Sequence, residues 1–350
     1  MDVTYTSTKS TVEATRTSVL KMQRQLIVAQ KEVSSGRYAD VGIALGARTS
    51  RSVSMRRDIN YMNLIIDTNS TASTRLDSTQ SALTGLVEMS QGFVDTLISA
   101  RTTETGRENA ANEAKANLSM LTDVMNGAVG GESLFAGIKT DTLPLSNYFT
   151  SPTSAAKTAV DAAFLGEFGT TQSDPANETG ITGSDMQTFL DTTFDTLFND
   201  ANWAANWSAA SDENVVSRIS IYEDVETSSN ANYLGYRKLA EAYTMVADLG
   251  IENLNDLAFQ AIVDTAIDMV GAATQYLAVE QGRLGTSQER VELANNRLLS
   301  QINIITGQVN DMEVVDPYDA SVRVTTLLTQ IETSYALTAR IQKLTILNYI

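Results

Sequence analysis

The side chains that most often do chemistry are missing from this sequence. Its 350 residues hold no His and no Cys. That removes the commonest general base and metal ligand, together with thiol nucleophiles, disulfides and thiolate metal sites. What remains is carboxylate. Asp191 and Asp195 stand one helical turn apart, a pairing that glycoside hydrolysis could use. Most such pairs are solvated helix faces, and this one is read in that way, so no catalytic residue is assigned. Asp311, Glu313, Asp316 and Asp319 form a second cluster of hard oxygen donors. They lack the Gly-centred spacing of a calcium loop and are read as helix-end charges, with no metal and no cofactor. Trp203 and Trp207 follow one another at helical spacing. They could form a sugar platform, but a small satellite core is the preferred reading. The Asn-x-Ser/Thr triplets at Asn69, Asn117, Asn177 and Asn206 are expected by chance in so Ser/Thr-rich a chain.

With no reactive centre, the helices themselves become the candidate machinery. From Tyr5, positions alternately three and four apart are Thr8, Val12, Thr15, Val19, Met22, Leu26, Ala29 and Val33. This heptad seam stops at Ser34-Ser35-Gly36, where Gly can take the left-handed, helix-ending conformation. Burying seven such side chains contributes roughly 10–20 kcal/mol. Ordering the stretch costs about 40 kcal/mol. The helix therefore needs a partner. The other chain end offers one, because 319–350 is apolar on more than one face, through Leu328, Ile331, Tyr335, Ile341 and Leu344 among others. The candidate assembly seam is Val12, Val19, Met22, Leu26 and Val33 with Leu328, Ile331, Tyr335, Ile341 and Leu344. Two such helices suit a tube of assembled subunits, or the last two helices of an ordinary bundle; periodicity does not choose between these.

The net charge of −17 argues against nucleic acid as a partner. Residues 137–240 carry fourteen acids against five bases, while both chain ends are slightly positive. The first twenty residues lack the apolar centre of a signal peptide, and no run approaches the ~18 apolar residues of a membrane span.

Along the chain, 37–54 reads as an ordered connector with no sustained period. A long helix is expected from about Arg56 to Arg101, with the seam Met62, Ile66, Asn69, Ser73, Leu76, Gln80, Leu83, Val87, Ser90, Val94 and Leu97. At ~1.5 Å per residue it is roughly 70 Å long. A second helix is expected from Glu104 to Ala128. The texture then changes. Three of the four prolines fall between 134 and 240, with a short amphipathic helix at 185–199 and a loosely alternating strand over 215–225. Helix returns at Leu234, breaks near Gly250 and runs to Met312 along Leu284, Ser287, Val291, Ala294, Leu298, Ile302, Ile305, Val309 and Met312. Asp316 and Pro317 are a good N-cap and first helical residue.

In outline and in wording the chain resembles the flagellin superfamily, and within it the hook–filament junction proteins of the hook-associated protein 3 type. The resemblance rests on AQKEVSSGRYADVGIALG (29–46), LFAGIKTDTLPL (134–145), YRKLAEAYTMVADLGIEN (236–253), and the stretch 284–350 with VVDPYDA and ARIQKLTILNYI. Arg37-Tyr38-Ala39-Asp40-Val41-Gly42 after the turn, and the ending Leu347-Asn348-Tyr349-Ile350, depart from filament flagellins and favour the junction type. The resemblance implies a mainly α fold, an elongated bundle of long helices from both chain ends with an inserted mixed α/β outer domain. It divides the chain into paired terminal helices (1–38 and 318–350), a rod-like helical core (39–137 and 236–317) and an acidic outer insert (138–235). It further implies a non-enzymatic adaptor that self-associates in a ring-like layer, with flagellin on one side and a second hook-associated protein on the other. Export would run through the flagellar secretion channel without a cleaved signal peptide, with a chaperone on the C-terminal helix. A filament subunit and a secreted coiled-coil adhesin are the rival readings.

Overall fold

The computed structural model describes residues 8–101 and 105–347, and the side chains from Ser10 to Arg340 within them. It is mainly helical, with long helices from both chain ends and few short strands. The chain divides into two compact units, residues 1–63 with 299–350, and residues 64–298.

The first unit contains α1 (Thr8–Ser35), α2 (Val41–Leu45), the first part of α3 (Thr49–Ala100), the end of α10 (Asp256–Glu313) and α11 (Pro317–Leu347). Gly36 takes φ +67° and ends α1, as the Ser-Ser-Gly turn predicts. The stretch read as a connector holds more helix than expected. Asp40 caps α2, its Oδ1 accepting from the Ile43 amide at 2.9 Å. Gly46 at φ +51° then breaks the chain, and α3 starts at Thr49, seven residues before the predicted start. At the other end the Asp316 carboxylate accepts from the Tyr318 amide at 2.8 Å and starts α11 as expected.

The two terminal helices pack on each other, antiparallel, from a shared turn. Arg37 and Val314 form an antiparallel bridge there, fixed by Tyr38 N–H to Glu313 O (3.1 Å) and Val315 N–H to Gly36 O (3.0 Å). Farther along, Gln23 Nε2 donates to the Tyr335 hydroxyl at 2.9 Å.

The second unit is built on the rest of α3 and α10, with α4 (Gly106–Met125) and α9 (Leu234–Asp248). Glu104 lies outside the described residues. Between Met62 and Leu97 the buried positions of α3 are Met62, Ile65, Asn69, Ala72, Leu76, Thr79, Leu83, Leu86, Ser90, Phe93 and Leu97. Every second position of the predicted seam is therefore correct, and each alternate one is displaced by one residue. On α10 the seam from Leu284 to Leu298 is buried as expected. One 18-residue window of α10 is apolar enough to cross a membrane by length and composition, which the sequence reading did not anticipate. Within the unit, its Ile262, Val263, Ala266, Val270 and Ala273 are core residues of the bundle.

Segment 138–235 adds α5 (Ala155–Phe168), α6 (Asn177–Gly180), α7 (Gly183–Phe189) continued by a π-helical turn over Leu190–Phe194, and α8 (Asp200–Asn206). The expected strand is a hairpin, β3 (Val216–Ser220) with β4 (Glu223–Glu226), following the short β1 (Ala128–Val129) and β2 (Glu132–Ser133) pair. Its core is a run of aromatic contacts through Phe164, Phe189, Phe194, Phe198 and Trp207 to Tyr148. Gly250, at φ +67°, forms the break before α10; a Cβ there would meet Gln172 O at 2.1 Å, so only Gly fits.

Candidate assembly surfaces

The carboxylates singled out in the sequence do not converge on a reactive centre. Asp191 accepts from Gln187 Nε2 at 2.9 Å, and Asp195 pairs with Lys238 at 2.8 Å. Of the distal cluster, Asp316 caps α11, Asp311 and Asp319 face solvent, and Glu313 is enclosed. Among the described residues no three acidic side chains gather in a way that could hold a metal ion. The Trp203 and Trp207 rings stack at 5.2 Å and 14° with both side chains buried, which makes them core and leaves no platform.

Two carboxylates serve instead as braces. Glu313 accepts from Ser52 Oγ at 2.5 Å and from Arg56 Nε at 3.0 Å, and Arg56 Nη2 meets its second oxygen. The Arg56 hydrogen bonds, helped by Ser52, outweigh the cost of enclosing the charge and hold the Glu313 carboxyl below the usual glutamate range. Arg37 Nη2 donates to Asn310 Oδ1 at 2.6 Å, closing the same turn. Glu32 takes the Ala39 amide on Oε1 at 3.2 Å, while Arg323 Nη2 stands 3.0 Å from Oε2. That second contact is coulombic only, since the N–H direction misses the oxygen.

These braces frame the terminal pair. On α1, Val19 and Ala29 are buried and Val12, Met22 and Leu26 half-buried. The next inward position belongs to Glu32, and Val33 is exposed. On α11 the inward line is Ala320, Val324, Leu327 and Ile331; Leu328 and Tyr335 stand on a neighbouring, exposed stripe. The side chains of Ile341 and Leu344 lie outside the described residues. Beside the seam an apolar groove of about 480 Å³ runs between α1 and α11, lined by Val28, Ala29, Val322 and Leu327 with Arg24 and Arg323 at its rim. Leu20, Ile27 and Leu337 are also exposed. The pair thus buries a narrow strip of carbon and leaves a wider one uncovered, which is chemistry suited to packing against further helices. Glu32, Ser52, Arg56 and Arg323 were not anticipated. An acid at seam spacing after Ala29 was the available signal for the first.

In the second unit Glu241 is fully enclosed on α9, with Lys238 Nζ at 2.9 Å from one oxygen. Enclosure pushes its carboxyl up to about 7, with Lys238 opposing and Asp195 adding to the rise.

Comparison with known families gives two matches. Residues 6–140 match the bacterial flagellin N-terminal helical region, and residues 267–350 match the bacterial flagellin C-terminal helical region. No curated protein matches the sequence. Among solved structures, one assigned as a flagellar hook-associated protein from Vibrio parahaemolyticus shares the fold. Its TM-score is 0.52 at 11% identity, over 76% of this chain and 97% of that one. The two family regions lie at the chain ends and together take in well over half of the sequence, including every helix of the first unit. The chain therefore belongs to the flagellin superfamily, as an extracellular structural component of the flagellum.

Proposed function

We propose that the chain is an adaptor at the hook–filament junction, forming a ring-like layer on which flagellin assembles. The observation that carries this reading is the uncovered apolar face of the α1–α11 pair, which a layered tube of like helices would bury. The wording after the Ser-Ser-Gly turn, RYADVG in place of a filament-type continuation, supports the junction over the filament, as does the fold likeness to a protein assigned as hook-associated. In this reading 1–38 and 318–350 form the assembly domain, 39–137 with 236–317 a rod-like core, and 138–235 an outward insert. Flagellin lies on one side of the layer and a second hook-associated protein on the other. An export chaperone covers the C-terminal helix before the chain leaves through the flagellar secretion channel. The rival, a filament subunit, draws on the same two flagellin matches.

Deletion of the gene separates them. A junction adaptor leaves cells with hooks that release flagellin into the medium. A filament subunit leaves cells with no flagellin to release. Ile341→Asp with Leu344→Asp should reproduce the shedding once the altered chain has been detected outside the cell.

A further inference from the structure

Charge is divided sharply between the two units. Residues 64–298 carry 32 Asp and Glu against 12 Lys and Arg, a net of −20, whereas the other 115 residues carry 10 acids against 13 bases, a net of +3. Like net charge disfavours contact between second units, so the basic first unit of a like chain is the better electrostatic complement to that surface. One place on that surface is shaped to receive something. Between α3 and α4 runs an apolar groove of about 570 Å³, floored by Leu86, Met89, Met120 and Val124. Gly85 opens one wall, since a Cβ there would meet nothing within 4 Å. Met120 is 55% exposed, a large apolar side chain left to water. Asp123 stands at the rim, exposed and without an ion pair among the described residues, and Glu88, next to Met89 in the α3 sequence, is exposed as well.

The matching surface is on the first unit. Val53, Arg57 and Tyr61 lie four residues apart on α3 and make one ridge. Val53 is 61% exposed, Tyr61 is also exposed, and the Arg57 side chain is 79% exposed with only a loose 3.8 Å contact to Asp58. Arg48 and Arg51 add positive charge nearby. We propose that the α3–α4 groove receives the Val53–Arg57–Tyr61 ridge of a second copy of this chain. Carbon from Val53 and Tyr61 covers the Met89–Met120 floor, and Arg57 reaches Asp123. The inference rests on the self-association proposed above and names its contact.

The absence of native cysteine makes the test clean. Val53→Cys and Met120→Cys are placed in one chain, and the assembled protein is oxidised and run without reductant. Controls pair Met120→Cys with Ile27→Cys on α1 or Tyr222→Cys on the hairpin, both exposed. A covalent ladder from the 53/120 chain alone is expected. Asp123→Lys should cut the ladder about tenfold, and Arg57→Glu in the same chain should restore it, because reversing both signs recreates the attraction. A ladder from a control pair instead, or no 53/120 ladder while sedimentation shows association, overturns the inference alone. A chain that remains monomeric at every concentration, with and without the substitutions, overturns the self-association reading along with it.

Discussion

Ile331 and Leu328 lie less than one turn apart on α11 but on different stripes, and they should respond to charge in opposite ways. Ile331 is buried at 8% exposure against the α1 side, whereas Leu328 is 42% exposed in the single chain. Ile331→Asp forfeits about 2–3 kcal/mol of burial and also places a carboxylate among carbon, for a total of about 3–5 kcal/mol. Leu328→Asp loses roughly half a burial, about 1 kcal/mol, because the site is already wet. If neighbouring subunits cover Leu328 in the layer, the same carboxylate costs several kcal/mol per subunit there. Hydrogen exchange over residues 8–35 and 317–347 of the purified chain reads the first effect, and filament attachment in cells reads the second. Ile331→Asp should strip protection from both helices. Leu328→Asp should keep that protection and lose the filament. Full-length filaments on Leu328→Asp cells, or unchanged exchange in Ile331→Asp, would refute the division into an inward and an assembly stripe.

Three further outcomes follow from the braces and the core. Glu241 holds its proton more tightly folded than unfolded between pH 4.5 and about 7, so the native chain should lose about 3 kcal/mol as pH rises through that window. Glu241→Gln, neutral throughout, should flatten the denaturation midpoints between pH 5 and pH 8; a parallel decline in both chains would contradict this. Glu313→Ala removes acceptors from buried Ser52 and half-exposed Arg56, and should cost about 1–3 kcal/mol, seen as faster exchange at the Tyr38 and Val315 amides. Trp207→Ala should cost about 3–5 kcal/mol and collapse the near-ultraviolet signal of the stacked Trp203–Trp207–Tyr148 rings, with an unaltered melting curve as the opposing result.

The long helices, their caps and the pairing of the two ends were legible because they rest on local spacing and on turn residues. Gly36, Gly250 and Asp316-Pro317 each act where the sequence places them. The phase of α3 was only half legible. From Met62, the positions seven apart are buried, but between them Ile65, Ala72, Thr79, Leu86 and Phe93 are inside where Ile66, Ser73, Gln80, Val87 and Val94 were expected. Apolar residues stand at both choices in several turns, and several buried ones are small or polar, so hydrophobicity could not decide. Asn69 is inside because its amide reaches Ile219 O (3.0 Å) and Asn295 Oδ1 (2.7 Å), partners at least 150 residues away. The Ser52–Arg56–Glu313 brace was hidden for the same reason, Glu313 standing more than 250 residues from the other two. At the end of α1 a seam extended by apolarity selects Val33, whereas the ion pair with Arg323 draws Glu32 inward.

The position of the chain on the flagellum tests the central claim most directly. Flagella with intact hooks, labelled by an antibody raised against residues 138–235 and viewed by stained electron microscopy, should carry a single band at the hook–filament boundary. Label distributed along the whole filament would contradict the adaptor and make the chain a filament subunit.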